Sequence, residues 1–137
     1  MRLGNRVKLL RSRSRQERAA EQRMRTEIPR KPIPHITDRE FDELTFGSEE
    51  PVLVFFGSRR CKICRELFPV AEAVAYDFND RMQVYGVDAD KYRSLFHRLR
   101  LKGIPHLVLF LGGEVRARIG GFHPKQVLVE KLEEWVP

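Results

Sequence analysis

Hydrophobic positions follow helical and strand periods from residue 33 onward and predict an alternation of helices and strands. The run Val52–Phe56 is apolar at every position, which favours a central strand covered on both faces. A helix is predicted soon after it, because apolar residues recur every three or four positions at Leu67, Ala71, Val74 and Phe78. Pro69 lies inside this stripe and should kink the helix without ending it, since the stripe continues.

Shorter segments predict the remaining elements. Residues 34–36 predict an edge strand, where proline is tolerated, and Thr37-x-x-Glu40 is a capping box that begins a short helix. Gly112-Gly113 predicts a two-residue hairpin turn before the strictly alternating residues 114–119. The other predicted elements are a strand over 82–87, a helix marked by Tyr92, Leu95, Phe96 and Leu99, a strand over 107–111, and a last helix with Pro124 at its first position. Helical crossovers followed by a hairpin indicate an α/β fold with a mixed five-stranded sheet flanked by about four helices.

The only two cysteines, Cys61 and Cys64, stand where the central strand passes through a Gly/Ser turn into the long helix. The first turn of a helix has unpaired N–H groups and the positive end of the helix dipole, so a thiolate is stabilised there. Arg59, Arg60 and Lys62 add positive charge at the same place. A strand, a tight turn, Cys-x-x-Cys and a helix together predict a redox-active dithiol.

Basic residues are concentrated at the start of the chain. Residues 1–34 contain eleven Lys or Arg against three Glu, whereas residues 35–137 contain fifteen against sixteen acidic residues. We therefore predict a basic arm over residues 1–32, disordered or partly helical from the Ser14-x-x-Glu17 capping box, and one domain over residues 33–137.

Four interpretations of this arm remain open. It is a solvated tail, a contact for nucleic acid or an acidic membrane surface through residues 1–31, an organelle transit peptide, or the product of a start codon upstream of the true one at Met24. No secretory signal and no apolar run long enough to span a bilayer is visible. We expect a cytoplasmic protein, or an organellar one if the arm is a transit peptide.

From about Ile33 to Trp135 the sequence resembles the thioredoxin family. Cys61-Lys62-Ile63-Cys64 is similar to its redox motif, and Gly103-Ile104-Pro105 is similar to the segment whose proline is cis and faces the cysteines. The resemblance implies a three-layer sandwich and thiol–disulfide exchange. The sequence departs from the family at four places: Arg60 replaces a usual Trp, Lys62-Ile63 replaces Gly-Pro, Phe55 replaces a buried Asp, and His106 replaces Thr.

The resemblance also implies roles for the site residues. Cys61 would attack a substrate disulfide and Cys64 would resolve the mixed disulfide. Substrate contacts are expected from Arg60, Ile104 and Pro105, and charge tuning from Arg59, Lys62 and His106. No cofactor is expected beyond the redox-active disulfide Cys61–Cys64. No metal is expected, because two sulfurs are too few ligands and no histidine has ligand spacing to them.

Three functions compete for this sequence. The first is an oxidoreductase that reduces or exchanges protein disulfides, works as a monomer and is recharged by an upstream dithiol reductant. The second is a thioredoxin-like binding or regulatory module with little turnover, tethered to partners by its basic arm. The third is a nucleic-acid-binding protein.

Asp88 and Asp90 form a carboxylate pair that is best interpreted as caps between a strand and a helix.

Overall fold

The computed structural model describes residues 14–19 and 28–137. Between residues 28 and 137 the helices are α1 (Asp38–Leu44), α2 (Lys62–Asp77), α3 (Arg93–Arg98) and α4 (Lys125–Trp135). The strands are β1 (Val52–Gly57), β2 (Gln83–Asp88), β3 (His106–Leu111) and β4 (Glu114–Gly120). This order confirms the predicted alternation, and α2 continues through Pro69 as its apolar stripe indicates. No helix among the described residues is both long and apolar enough to cross a membrane.

The four strands form one mixed sheet in the order β2-β1-β3-β4. β1 runs parallel to β2 and antiparallel to β3, and β3 runs antiparallel to β4. Gly57, the last residue of β1, is in register with Asp88, and Phe56 is in register with His106. The carboxyl end of β1 is therefore bordered by the end of β2 on one side and the start of β3 on the other.

The prediction of a fifth strand at residues 34–36 is wrong. The segment is reduced to one parallel bridge between His35 and Gly86, held by Ile36 N–H to Gly86 O and Gly86 N–H to Pro34 O, each 2.9 Å. Proline has no N–H to donate, so Pro32 and Pro34 prevent the ladder from extending toward the start of the chain. The sheet therefore has four strands with a single bridge at its edge.

β1 is buried along its whole length because it separates two cores. Leu53 and Phe55 join the cluster under α2 and α4, whose members include Leu67, Leu128 and Leu132. Val52, Val54 and Phe56 join the cluster under α1 and α3, whose members include Phe41 and Leu95. This arrangement of helices, sheet and helices confirms the predicted three layers and explains why β1 is apolar at every position.

The two predicted capping boxes are both at helix starts. In α1 the amide of Thr37 donates to Oε1 of Glu40 at 2.9 Å, as the pattern predicts. In the arm, residues 15–19 are helical and the amide of Glu17 donates to Oγ of Ser14 at 3.1 Å. Predictions about residues 1–13 and 20–27 lie outside the described residues.

The hairpin between β3 and β4 turns through Gly112 and Gly113, as predicted. Their φ angles are +59° and +78°, the left-handed region in which glycine has no steric cost. A Cβ on Gly113 would also lie 2.5 Å from the carbonyl oxygen of Phe46, while a Cβ on Gly112 would meet nothing within 4 Å. Gly113 is thus required both by its conformation and by a close backbone neighbour.

These two glycines give a matched pair of stability variants. Gly112→Ala should lower the free energy of unfolding by roughly 1–2 kcal/mol, the cost of a left-handed alanine. Gly113→Ala should lower it by about 3 kcal/mol or more, since the clash with Phe46 is added. Urea unfolding measures both values. Equal losses in the two variants would contradict the close packing of the hairpin on Phe46.

Candidate active site

The turn after β1 is fixed by a glycine. A Cβ on Gly57 would lie 2.5 Å from the ring of Phe55 and 3.3 Å from Cβ of Cys64, so a side chain there would displace both neighbours. The carbonyl of Gly57 accepts from the amide of Ala89 at 2.9 Å, which ties the strand end to the end of β2. The chain then turns so that the amide of Cys61 donates to the carbonyl of Ser58 at 3.2 Å. Cys61 therefore lies four residues after the end of β1, at the start of α2.

Cys61 is the N-cap residue of α2 and its side chain is the cap. Its Sγ accepts a hydrogen bond from the amide of Cys64 at 3.2 Å, and the sulfur is half-buried. An N-cap acceptor usually is a hydroxyl or carboxylate oxygen, so here a thiol has taken that place. The amide and the dipole of a 16-residue helix both favour negative charge on this sulfur.

Cys64 lies one helical turn further on and is only 2% exposed. Burial, followed by the hydrogen bond with the Cys61 side chain, raises the pKa of its thiol to about 12. Both cysteines are free thiols in this structure. The pair therefore combines an accessible sulfur at a helix start with a buried sulfur that holds its proton.

Asp90 links the loop after β2 to the cysteine turn. Its carboxylate accepts from Oγ of Ser58 and from Nη2 of Arg60, the latter at 3.2 Å. The hydrogen bond from Ser58, and then that from Arg60, lower the pKa of Asp90, so the contact is ionic at neutral pH. Asp90 thus departs from the predicted cap role. Asp88 has a role of that kind, because its Oδ1 accepts from the amides of Asp90 and Lys91.

The segment before β3 borders the site. The peptide bond between Ile104 and Pro105 is cis, as the resemblance implies, and the carbonyl of Pro105 accepts from the amide of Gly121 at 3.0 Å. Ile104 is half-buried and lines a groove of about 210 Å³ together with Asp90 and Arg93. Ile104 and Cys61 pack against the same core cluster, the one that contains Cys64. The predicted substrate contact Ile104 is therefore open to a groove, while Pro105 is buried.

His106 faces a different surrounding from the two cysteines. Its ring lies against Gly120, and its Nε2 is buried with no hydrogen-bond partner among the described residues. Burial first, and the nearby Arg118 second, lower the pKa of His106. The ring is therefore uncharged at neutral pH, and it does not line the groove of Ile104 or the cavity that reaches Cys64.

A second cavity, of about 310 Å³, is lined by Cys64 together with Gly57 and Ser58 of the turn. Phe55 and Phe68 form much of its wall, with ring centroids 5.4 Å apart and edge-to-face, and the ring of His35 stacks on Phe68 at 5.7 Å. Phe55 is 4% exposed, so its ring is buried beside Gly57 and lines the same cavity as Cys64. Among the described residues, the titratable side chains lining this cavity besides Cys64 are His35, Asp88 and the cations Arg59 and Arg65.

The structure brings most of the predicted site residues together at one end of β1. Cys61, Cys64, Arg59, Arg60 and Lys62 belong to the turn and the first turn of α2. Sequence reasoning missed Ser58 and the contact of Asp90 with the turn. Asp90 is 32 residues from Ser58 in the chain, and only the register of Gly57 with Asp88 brings them together. Among the described residues, no cluster of three or more His, Cys, Asp or Glu side chains could hold a metal ion.

Comparisons with known proteins identify the family of this chain. The Thioredoxin family model matches residues 32–134. A thioredoxin-like protein of Synechocystis sp. is 34% identical over 99 residues, covering 72% of this chain and 91% of that protein. Chloroplastic thioredoxin Y of Oryza sativa is 33% identical over 93 residues, which cover 68% of this chain and 55% of the relative. The chain thus spans little more than half the length of that relative.

A solved thioredoxin structure has the same fold as this chain. A mutant thioredoxin from Halobacterium salinarum superposes with a TM-score of 0.69 at 27% sequence identity. The superposition covers 78% of this chain and 92% of that chain. The match over residues 32–134 includes the central strand, both cysteines and the cis proline. The chain belongs to the thioredoxin family.

Proposed function

We propose that this protein is a thiol–disulfide oxidoreductase that reduces or exchanges disulfides in other proteins through Cys61 and Cys64. The observation that carries the proposal is the hydrogen bond from the Cys64 amide to Sγ of Cys61 at the start of α2. It supports an accessible nucleophilic sulfur with a second thiol one helical turn away. A disulfide is expected to form between them in each cycle, and no other cofactor is required.

The reaction takes place in two exchanges. The Cys61 thiolate attacks one sulfur of the substrate disulfide, and the other substrate sulfur leaves as a thiolate that takes up a proton. Cys64 then loses its proton and attacks Sγ of Cys61, which releases the second substrate sulfur. The substrate gains two electrons and becomes a dithiol, while Cys61 and Cys64 lose two and form a disulfide. An upstream dithiol reductant returns them to thiols.

The surrounding residues supply binding and orientation. Ile104, which lines the groove beside Asp90, and the exposed Arg60 are placed to contact a substrate segment lying across Cys61. Pro105 is buried and would act through its cis peptide bond with Ile104, which lines the groove. We assign charge tuning to Arg59 and Lys62, whose side chains are exposed beside Cys61. The neutral ring of His106 would act by packing against Gly120.

The cellular setting is also a proposal. A reducing compartment suits a dithiol enzyme, either the cytoplasm or an organelle, and chloroplastic proteins are among the relatives. We propose that the enzyme works as a monomer. A contact of residues 1–31 with a polyanion is proposed from their charge alone.

One observation favours a second function. Phe55 stands beside Cys64 in place of a carboxylate, and the Cys64 thiol has a strongly raised pKa. A slow second exchange would leave Cys61 joined to its partner, and the chain would then act as a binding or regulatory module. The two functions are separated by the lifetime of the mixed disulfide in the wild-type protein. Release of the partner from Cys61 within the time of one catalytic cycle supports the oxidoreductase function.

The two cysteines serve as controls for each other. Cys61→Ser should lower the catalysed reduction of a peptide disulfide by dithiothreitol to the uncatalysed rate, because the attacking sulfur is lost. Cys64→Ser should also stop turnover but accumulate protein carrying one substrate chain, since nothing resolves the adduct. Absorbance assays and intact-mass measurement report the two outcomes. Turnover that survives in Cys61→Ser, or an adduct on Cys64 instead of Cys61, would contradict these roles.

The pH dependence of the second exchange tests the raised pKa of Cys64. Burial, its largest cause, persists in the mixed disulfide. Only the thiolate attacks, so the rate of release should rise about tenfold per pH unit while the pH stays below the thiol pKa. We expect this rise from pH 7 to about pH 9 without a plateau, measured by stopped-flow release of a fluorescent thiol. A plateau near pH 7 would show that Cys64 ionises easily.

A further inference from the structure

The charge around Cys61 has one predominant sign. Residues 58–66 and 88–93, which we call the basic rim, contain six cations and three anions, a net charge of +3. Residues 35–137 together have a net charge of −1, so the remainder of this part of the chain carries −4. Positive charge is therefore concentrated at the redox end of an otherwise acidic surface. The six cations are Arg59, Arg60, Lys62, Arg65, Lys91 and Arg93.

The cations of the basic rim face solvent. The side chain of Arg60 is 85% exposed, and the side chain of Arg65 donates to the carbonyl of Arg59 at 2.6 Å, which holds its charge beside the turn. Ile63 stands between them in sequence and is 48% exposed, the one large apolar side chain of the rim that protrudes. A partner that lies over Cys61 therefore meets several positive charges around the exposed side chain of Ile63.

The anions of the basic rim are already engaged or lie to one side. Asp90 pairs with Arg60 and Ser58, and Asp88 accepts from two backbone amides. Glu66 is exposed and lies one turn along α2 from Lys62, where it offsets part of that charge. The first turn of α2 contains no acidic residue, and Arg93 lines the same groove as Asp90. The electrostatic potential that the basic rim presents to an approaching substrate is therefore positive.

We propose that the basic rim selects protein substrates whose disulfide is flanked by acidic side chains. This inference rests on the proposed function and names its substrate class. Complementary charge raises association rates by factors of 10 to 1,000 at low salt and suppresses partners of like charge. A substrate with Asp or Glu beside its cysteines meets the rim favourably, while Lys or Arg at those positions is repelled. Ile63 adds an apolar contact that does not depend on charge.

Three disulfide substrates test the proposal on the full chain. Two are cyclic peptides that differ only in four flanking residues, all Glu in one and all Lys in the other. The third is hydroxyethyl disulfide, which is small and neutral. With dithiothreitol as reductant, kcat/KM should be about 10-fold higher for the acidic than for the basic peptide at low salt. The ratio should fall to about 2 at roughly 0.5 M salt, where the Debye length is about 4 Å.

A charge-reversal variant locates the effect. Arg59→Glu/Lys62→Glu changes two rim cations whose side chains make no hydrogen bond or ion pair among the described residues. It should bring the acidic-to-basic ratio to one or below. The matched control Arg116→Glu/Lys131→Glu makes the same charge change near Trp135, whose ring lies 5.9 Å from the guanidinium of Arg116, and should leave the ratio within twofold of wild type. Taking a ratio removes any change in Cys61 reactivity, which affects every substrate alike.

The outcomes separate the two proposals. If no substrate is reduced, including the neutral one, the proposed oxidoreductase function fails. If all are reduced but the wild-type ratio is one or less, the inference about acidic substrates fails alone. A ratio that survives in the rim variant, or that the control lowers equally, would also overturn it, because the attraction would then come from the arm or from net charge.

Discussion

The active site depends on the hydrogen bond from the Cys64 amide to Sγ of Cys61, because it holds that sulfur at the start of α2, one turn from Cys64. The bond requires Cys61 at the N-cap and Cys64 one turn later, which is what two intervening residues provide. It directs a positive dipole at one sulfur and leaves the other against the core. The opposite chemical tendencies of two identical side chains follow from this one geometric difference.

The rest of the fold holds that helix start in place. β1 has a core on each face, so neither face can move without exposing apolar surface. It ends in Gly57, where a side chain would displace the ring of Phe55 and Cβ of Cys64. Asp90 then fixes the exposed side of the turn through Ser58 and Arg60. The turn is thus held from below by packing and from above by charge.

Much of the fold and part of the site were predictable from the sequence, because they depend on local patterns. The apolar run of β1, the glycine pair of the hairpin and the Cys-x-x-Cys spacing each determine structure within a few residues. The contact of Asp90 with Ser58 was not predictable, since it depends on the register of β1 with β2. The prediction of an edge strand was wrong for another reason. Pro32 and Pro34 lack the N–H groups that a ladder of hydrogen bonds needs, so only one bridge forms.

Three of the residues that depart from the thioredoxin pattern determine how polar the two sides of the cysteine pair are. Phe55 places an aromatic ring on the buried side of the site, and burial raises the pKa of the Cys64 thiol, so that thiol keeps its proton. Arg60 and Lys62 add charge on the exposed side, where water screens it and a partner can meet it. The cations beside the cysteines therefore lie on the exposed side of the site. A charge in the interior acts on every substrate alike, whereas a charge on the surface discriminates between substrates. In the proposed function, the cations of this site therefore bear more on the choice of partner than on the exchange chemistry itself.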